Sequence, residues 1–311
     1  MTALICGSLA FDTVMVYPGR FRDQILADRI HMLNVSFMVP KLSRHYGGCA
    51  GNIAYNLNLL GGEGSALGTV GHDFGPYRDW FDRNGLSASH VLELTDEYTA
   101  QAYITTDLDD NQITAFHPGA MNRSHELAVP AGAGCTIGIV SPDGREGMIQ
   151  HAAQFARAGI PFIFDPGQAM PLFGGQDLEA FIDQATWVAV NDYEGQLLQE
   201  RTGLAAAAIA ARVEAYVVTR GAEGSLIHAG GRVLEIPAVR PRQVLDPTGC
   251  GDAYRAGLLF GLMRGCDWAT TGRIASLLGS IKIAVAGTQR HGFTPEEFGD
   301  LFHAAFGYRL D

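Results

Sequence analysis

The segment Asp246-Pro-Thr-Gly-Cys-Gly-Asp252 sets three consecutive backbone N–H groups, those of Gly249, Cys250 and Gly251, at the mouth of a small-residue helix that opens Ala253-Tyr-Arg-Ala-Gly257. Such a turn collects negative charge on its amides and on the positive end of the helix dipole. The Asp252 carboxylate, one residue later, is placed to take a proton from whatever attacks that charge. Phosphoryl transfer needs both parts, because its catalysis is mostly positioning and charge stabilisation. In a chain with 39 glycines a lone G-x-G is weak. The Asp on each side, the apolar extended run Arg242–Leu245 before it and the helix after it give it weight. The plain alternative is a strand-to-helix turn with Asp252 as a helix-start residue.

Other polar residues and glycines recur where strands should end. Asp12 follows the first strand, and Tyr46-Gly47-Gly48-Cys-Ala-Gly51-Asn52 opens a helix. Asp165-Pro-Gly-Gln168 follows Phe164, Asn191-Asp-Tyr-Glu194 follows Val190, and Thr219-Arg-Gly221-Ala-Glu-Gly224 follows Val218. Each alone is ordinary turn chemistry, since Asp and Asn cap helices and Gly supplies positive φ. Recurrence at the carboxyl ends of many strands points to a ligand site. Lysine is nearly absent: Lys41 and Lys282 are the two in the sequence. Neither a Gly-Lys-Ser/Thr phosphate loop nor the protein-kinase Gly-rich loop with its V-A-I-K strand is present. ATP binding here has to dispense with both lysine cradles.

The elements that must position these residues are legible from periodicity. Leu4–Cys6 and Thr13–Tyr17 read as strands, Leu33–Val39 as another β-rich run, and Gly51–Leu60 as a helix stopped by Gly61-Gly62. Ser65–Gly71 is a strand and Phe74–Asn84 a helix. Residues 98–116 read as a hairpin about the polar turn 107–111. From Thr136 onward strands (136–140, 161–164, 187–190, 216–219) alternate with helices (146–158, 178–184, 192–201, 204–213). Alternation of this kind predicts a doubly wound α/β core, mainly parallel, flanked by helices. Segments of about 11–45 and 97–120 are left to build a small β-sheet lid on a single domain of residues 1–311. A lid over the site would exclude water from phosphoryl transfer.

Composition removes whole classes. A formal charge of −11 argues against binding nucleic acid or an anionic membrane surface. Five cysteines without C-x-x-C spacing fit neither a disulfide framework nor a zinc site, and suit a reducing cytoplasm. No run reaches membrane-spanning length, and the start of the chain reads as a strand rather than a signal peptide.

Together the motifs resemble the PfkB/ribokinase family of small-molecule kinases over nearly the whole chain. Gly47-Gly48 through Asn52 to Gly61 resembles the family's N-terminal signature, and Asp246–Asp252 its C-terminal one. Within the family, Gly7–Asp12, Tyr17–Phe21, Asn34–Phe37 and Gln112–Met121 resemble the bacterial adenosine and broad-specificity nucleoside kinases. The resemblance implies an ATP-dependent kinase acting on the 5′-hydroxyl of a ribonucleoside. It assigns Asp252 as general base and Gly249, Cys250 and Gly251 as the anion hole. Asp12, Gly48 and Asn52 would bind ribose hydroxyls, with Ser8, Ser36, Gly47 and Gln168 completing the pocket and Phe116 stacking on the base. Thr219, Gly221 and Gly224 would form the ATP turn, while Asn191 and Glu194 would hold phosphate and hydrated Mg²⁺. Ala102 stands where some adenosine-selective relatives offer a second aromatic. Phe37 and Tyr46 are further apolar surface near the acceptor segments, and Arg44 is the one cation beside them.

ATP and Mg²⁺ are the implied cofactors, and activation by a monovalent cation is left open. His117 and Arg255 are expected to be a loop residue and a surface or helix-packing residue. A ribose or hexose kinase of the same family, and a non-catalytic nucleoside- or sugar-binding relative, are the competing readings. Partners are small molecules, with a homodimer through the exposed lid as an open option.

Overall fold

Strand β1 (Thr2–Cys6) is apolar on both faces: Ala3 and Ile5 join one hydrophobic layer, and Leu4 and Cys6 the other. A strand covered by helices on both sides has to read this way. The computed structural model describes residues 1–25, 34–109, 111–130 and 134–310. Beside β1 lie β4 (Glu63–Gly71) and then β5 (Ser87–Leu94) on one flank. On the other flank lie β8 (Cys135–Val140), β9 (Phe162–Phe164), β10 (Trp187–Asn191) and β11 (Ala215–Thr219), all in parallel register. Antiparallel strands β12 (Ser225–Ala229) and β13 (Arg232–Ile236) complete this nine-stranded sheet.

One face carries α1 (Cys49–Leu59), α2 (Gly75–Arg83), α7 (Cys250–Met263), α8 (Trp268–Ile283) and α9 (Pro295–Phe306). The other carries α3 (Arg145–Ala158), α4 (Gly175–Gln184), α5 (Asp192–Thr202) and α6 (Ala206–Ala210). The chain runs outward from β1 to β5 and then returns to β8 on the opposite side. That reversal opens a crevice at the carboxyl ends of the strands, where ligands of doubly wound sheets bind.

A second, four-stranded sheet is built from β2 (Ala10–Val16), β3 (Lys41–Gly47), β6 (Ala100–Thr106) and β7 (Gln112–His117), in the order β3-β2-β6-β7. It is the small sheet expected from segments 11–45 and 97–120; residues 26–33 and 110 of those segments lie outside the described residues. The β-rich reading of 33–39 is corrected. Residues 34–39 are irregular, Leu33 is outside the described residues, and the strand begins after Pro40. Alternation in 34–39 is real, but the segment meets aromatic side chains instead of a strand edge: Phe37 packs on Tyr17 and Phe21. The Ala-rich helix is also shorter than its composition suggests, because the chain must turn at Ala211 to enter β11.

Candidate active site

Helix α7 begins at a turn that only a particular backbone allows. Gly249 is its N-cap at φ 79°, and a side chain there would press on Thr288 at 3.0 Å. Asp246 brackets the turn, accepting from the amides of Thr248 (2.9 Å) and Gly287 (2.7 Å). Burial pushes the Asp246 carboxyl up, but these amide bonds outweigh it and hold the group below the ordinary range. The amides of a first helical turn have no intrahelical partner; here that of Cys250 donates back to the Pro247 carbonyl at 3.1 Å.

Asp252 sits one turn into the mouth, half-buried, with Oδ2 accepting from Asn52 Nδ2 at 2.8 Å. Burial raises its pKa to about 6, against the Asn52 hydrogen bond; Asp165 pushes it further up and Arg255 pulls it down. A carboxylate tuned to that range is ionised at neutral pH yet basic enough to accept a proton. Asn52 is itself oriented by a buried relay. Gln289 Nε2 donates to Asn52 Oδ1 (2.9 Å) and to Tyr77 Oη (2.7 Å), and Tyr77 donates to the Gly47 carbonyl (2.7 Å).

The start of α1 supplies the facing wall. Gly48, at φ 84°, lies against the Ser8–Ala10 backbone so closely that a Cβ would come within 2.5 Å of the Ser8 carbonyl. Ser8 Oγ accepts from the Cys49 amide at 3.1 Å and so satisfies one open donor of the helix. Asp12 packs against Gly47, where a Cβ would collide with its Oδ2. Burial and the charge of Asp246 raise the Asp12 pKa to about 6.

Two cavities meet at the mouth of α7. The first, about 550 Å³, has Ser8, Asp12, Gly48, Asn52, Phe116, Gln168, Gly249 and Asp252 in its walls. The second, about 450 Å³, is walled by Thr219, Gly221, Gly224, Cys250 and Gly251 together with the apolar Val239, Val244 and Ile283. The glycine turn therefore separates them, with Gly249 and Asp252 on one side and Cys250 and Gly251 on the other. Among the described residues no Lys or Arg lines the first cavity. Arg44 is turned away, stacked over the Phe11 ring at 3.5 Å and paired with Asp73 at 3.5 Å.

Some expected residues do not reach these walls. Ser36 is exposed in the irregular segment after the undescribed residues and does not line the first cavity. Gly47 contributes by its lack of a side chain, which admits Asp12, rather than as a wall. Phe37 faces Tyr17 and Phe21, and Tyr46 stacks on Trp80, so neither offers a platform in the cavity; Phe116, half exposed, does. Asn191 and Glu194 form a reciprocal capping box at the start of α5: each side chain accepts from the other's amide at 2.7 Å.

The reading of Arg255 as a surface or helix-packing residue is corrected most sharply. It is 4% exposed, donates to Asp165 Oδ1 at 3.0 Å and lies 3.7 Å from Glu194 Oε2. This buried cation joins the ends of β9 and β10 to α7, next to Asp252. Sequence reasoning also missed Thr288 and Gln289, which lack any flanking motif; their place follows only from the packing of the segment after α8 against α1. No group of three or more acidic, His or Cys side chains suited to a metal occurs among the described residues. Glu194 and Asp165 are the carboxylates beside Arg255.

Known proteins share this fold. The pfkB family carbohydrate kinase model matches residues 9–295. The nucleoside kinase of Burkholderia thailandensis in complex with inosine is 52% identical, with a TM-score of 0.90 over 99% of each chain. The nucleoside kinase of Methanocaldococcus jannaschii is 31% identical over 258 residues, 82% of this chain and 85% of its own. Its crystal structure gives a TM-score of 0.89 at 27% identity, covering 97% of this chain and 98% of its own. The nucleoside kinase of Methanothermobacter thermautotrophicus is 31% identical over 310 residues, 98% of this chain and 96% of its own. The fold is accordingly ribokinase-like, with the four-stranded sheet as its lid. By the match along its length and by the glycine turn between two cavities, the chain belongs to the pfkB family of carbohydrate kinases.

Proposed function

We propose that the protein is an ATP-dependent nucleoside kinase that transfers the γ-phosphoryl group to the 5′-hydroxyl of a ribonucleoside. The observation that supports this best is the mouth of α7 standing between a cavity containing Asp252 and a second cavity containing the 219–224 turn. In this reading the nucleoside occupies the first cavity. Asp12 and Asn52 accept from or donate to the ribose hydroxyls, a pairing suited to a vicinal diol. Ser8, Gly48 and Gln168 complete the wall, and Phe116 stacks on the base. Asp252 takes the 5′-hydroxyl proton as the oxygen attacks. The amides of Gly249 and Gly251, with that of Cys250 once it leaves the Pro247 carbonyl, stabilise the charge on the transferring group. ATP takes the second cavity, against Thr219, Gly221 and Gly224. Asn191 and Glu194 form a capping box, and Glu194 would help hold Mg²⁺, which would supply charge neutralisation for the phosphates.

The relatives with nucleoside kinase names, and the Burkholderia structures with inosine and with ADP-inosine, support the same substrate class. Among the described residues no Lys or Arg lines the first cavity, which speaks against a sugar phosphate, whose existing phosphate calls for cationic partners. We read residues 1–311 as one catalytic domain with 11–45 and 97–120 as its lid, working in the cytoplasm, where its free cysteines stay reduced. No helix of the described residues is long and apolar enough to cross a membrane. The charge of −11 speaks against nucleic-acid partners. We also propose a homodimer through the lid, whose outer strand β7 is exposed along its length and carries Ile113; sedimentation velocity tests that.

A substrate panel tests the function. With ATP and Mg²⁺, kcat/KM for inosine, adenosine or guanosine should exceed that for ribose and fructose 6-phosphate by several orders of magnitude. Efficient turnover of a free sugar or of fructose 6-phosphate, with none of nucleosides, would overturn the reading in favour of a sugar kinase.

A further inference from the structure

Lys282, near the end of α8, is one of two lysines in the chain and has no solvent exposure. A buried ammonium is costly unless its donors are met. Here Nζ donates to the carbonyls of Asp246 (2.8 Å) and Val285 (3.3 Å) and lies 3.6 Å from Asp246 Oδ2. Two main-chain carbonyls and a carboxylate converging on one point are the oxygen set that a small monovalent cation takes. In this protein the point is occupied by the protein's own ammonium, so these oxygens do not suit an added cation.

The ammonium is tied to the anion-collecting turn from two directions. Asp246 opens that turn and brackets it through the amides of Thr248 and Gly287. The amides of Leu245 and Asp246 both donate to the Ile283 carbonyl, the residue after Lys282. The segment that follows continues to Thr288 and Gln289, which close the acceptor cavity and orient Asn52. The charge is felt at the turn itself: burial pushes the Cys250 thiol up to about 11, and Lys282 is the cation that opposes the rise.

We propose that Lys282 is a built-in monovalent cation, a positioning residue that holds the Gly249–Gly251 turn in shape and makes nucleoside phosphorylation independent of added potassium, sodium or ammonium. The inference rests on the kinase reading above for its activity arm alone.

The test compares wild type, Lys282→Met and Lys282→Ala in KCl, NH₄Cl and choline chloride at equal ionic strength, with inosine, ATP and Mg²⁺. Wild-type kcat should be the same in all three salts. In choline, both variants should lose at least about tenfold in kcat, the lower end for a group that orients a reactive centre from behind, with little change in KM for inosine. Lys282→Ala, which leaves space behind the turn, should regain activity in KCl or NH₄Cl, whereas a merely structural role gives no such rescue. Thermal unfolding is the readout that needs no turnover: KCl over choline should raise the midpoint of Lys282→Ala and leave that of wild type unchanged. Activation or stabilisation of the wild type by any of these cations at constant ionic strength would overturn the proposal, even if both variants fail to fold. Folded variants with near-normal kcat and no salt dependence would overturn it too. Failure to phosphorylate any nucleoside in any salt would instead count against the kinase reading, and the unfolding midpoints would still judge Lys282.

Discussion

Replacing Asp252 by Asn separates the chemistry of the site from its architecture. Asn keeps the shape and can still accept from Asn52 Nδ2, now at 2.8 Å from the carboxylate. It cannot take a proton. The expected loss in kcat is at least ~10²-fold, the usual scale of general acid–base assistance, with inosine and ATP affinities retained. Stability should move the other way. Asp252 titrates near 6 in the folded protein against an ordinary 3.8, chiefly because burial disfavours its charge. A raised carboxyl pKa means the folded state binds the proton more tightly. Its stabilising contribution is therefore complete below 3.8 and lost as pH rises through about 6. At pH 8 the ionised group costs the fold at most about 3 kcal/mol, reduced to about 2 kcal/mol for partial exposure. Asp252→Asn should thus unfold roughly 4 °C higher than wild type at pH 8, with the gap closing towards pH 4. Calorimetric scans at the two pH values, beside initial rates, are the measurement. A variant that turns over normally would remove Asp252 from the mechanism. One that is less stable at pH 8 than wild type would refute the argument that its charge is held there at a cost.

Asp12→Ala should weaken nucleoside binding by about 1.5–3 kcal/mol, the value of a charge-assisted hydrogen bond, and leave ATP binding unchanged by calorimetry; an equal loss for ATP would place Asp12 elsewhere. Because burial raises both Asp12 and Asp252 to about 6, log kcat/KM for the nucleoside should fall below that pH with a slope approaching two, and the slope should drop to one in Asp12→Asn. Phe116→Ala should cost roughly 1–3 kcal/mol of nucleoside binding, the range of base stacking on an aromatic, without altering residual turnover of ribose. Arg255→Met, which strands the buried Asp165 carboxylate and the half-buried Glu194, should destabilise by about 3–5 kcal/mol in urea unfolding.

What could be read in advance, and what could not, divides along the range of the interaction. The Asp246–Asp252 turn, the Gly48 helix start and the alternation that builds the parallel sheet are local patterns, each enforced within a few residues by φ, hydrogen bonding or periodicity. They survive folding nearly unchanged. Strand β3 falls several residues later because Lys41–Gly47 carries no alternation of its own and is made a strand by pairing with β2, from Ala10↔Gly47 to Val16↔Lys41. Ser36 illustrates the same limit, since its distance from the cavity depends on a path that periodicity does not set.

The two internal cations were the least legible. Arg255 follows a motif and Lys282 sits in a helix, and either is ordinarily a surface residue. Their burial is decided by partners far along the chain. Asp165 lies 90 residues before Arg255, and the Asp246 carbonyl 36 before Lys282. One signal was present in each case. Asp165 stood at a strand end with no apolar reason to be there, and Lys282 was one of two lysines in a chain that otherwise uses arginine for positive charge. At Arg255 one nitrogen, Nη2, meets Asp165, Glu194 and the Ala189 carbonyl together, and the Lys282 ammonium meets carbonyls converging on a point. Each buried cation thus records the acceptors it must satisfy: those brought together where β9, β10 and α7 meet, and those behind the turn that would receive the phosphoryl group.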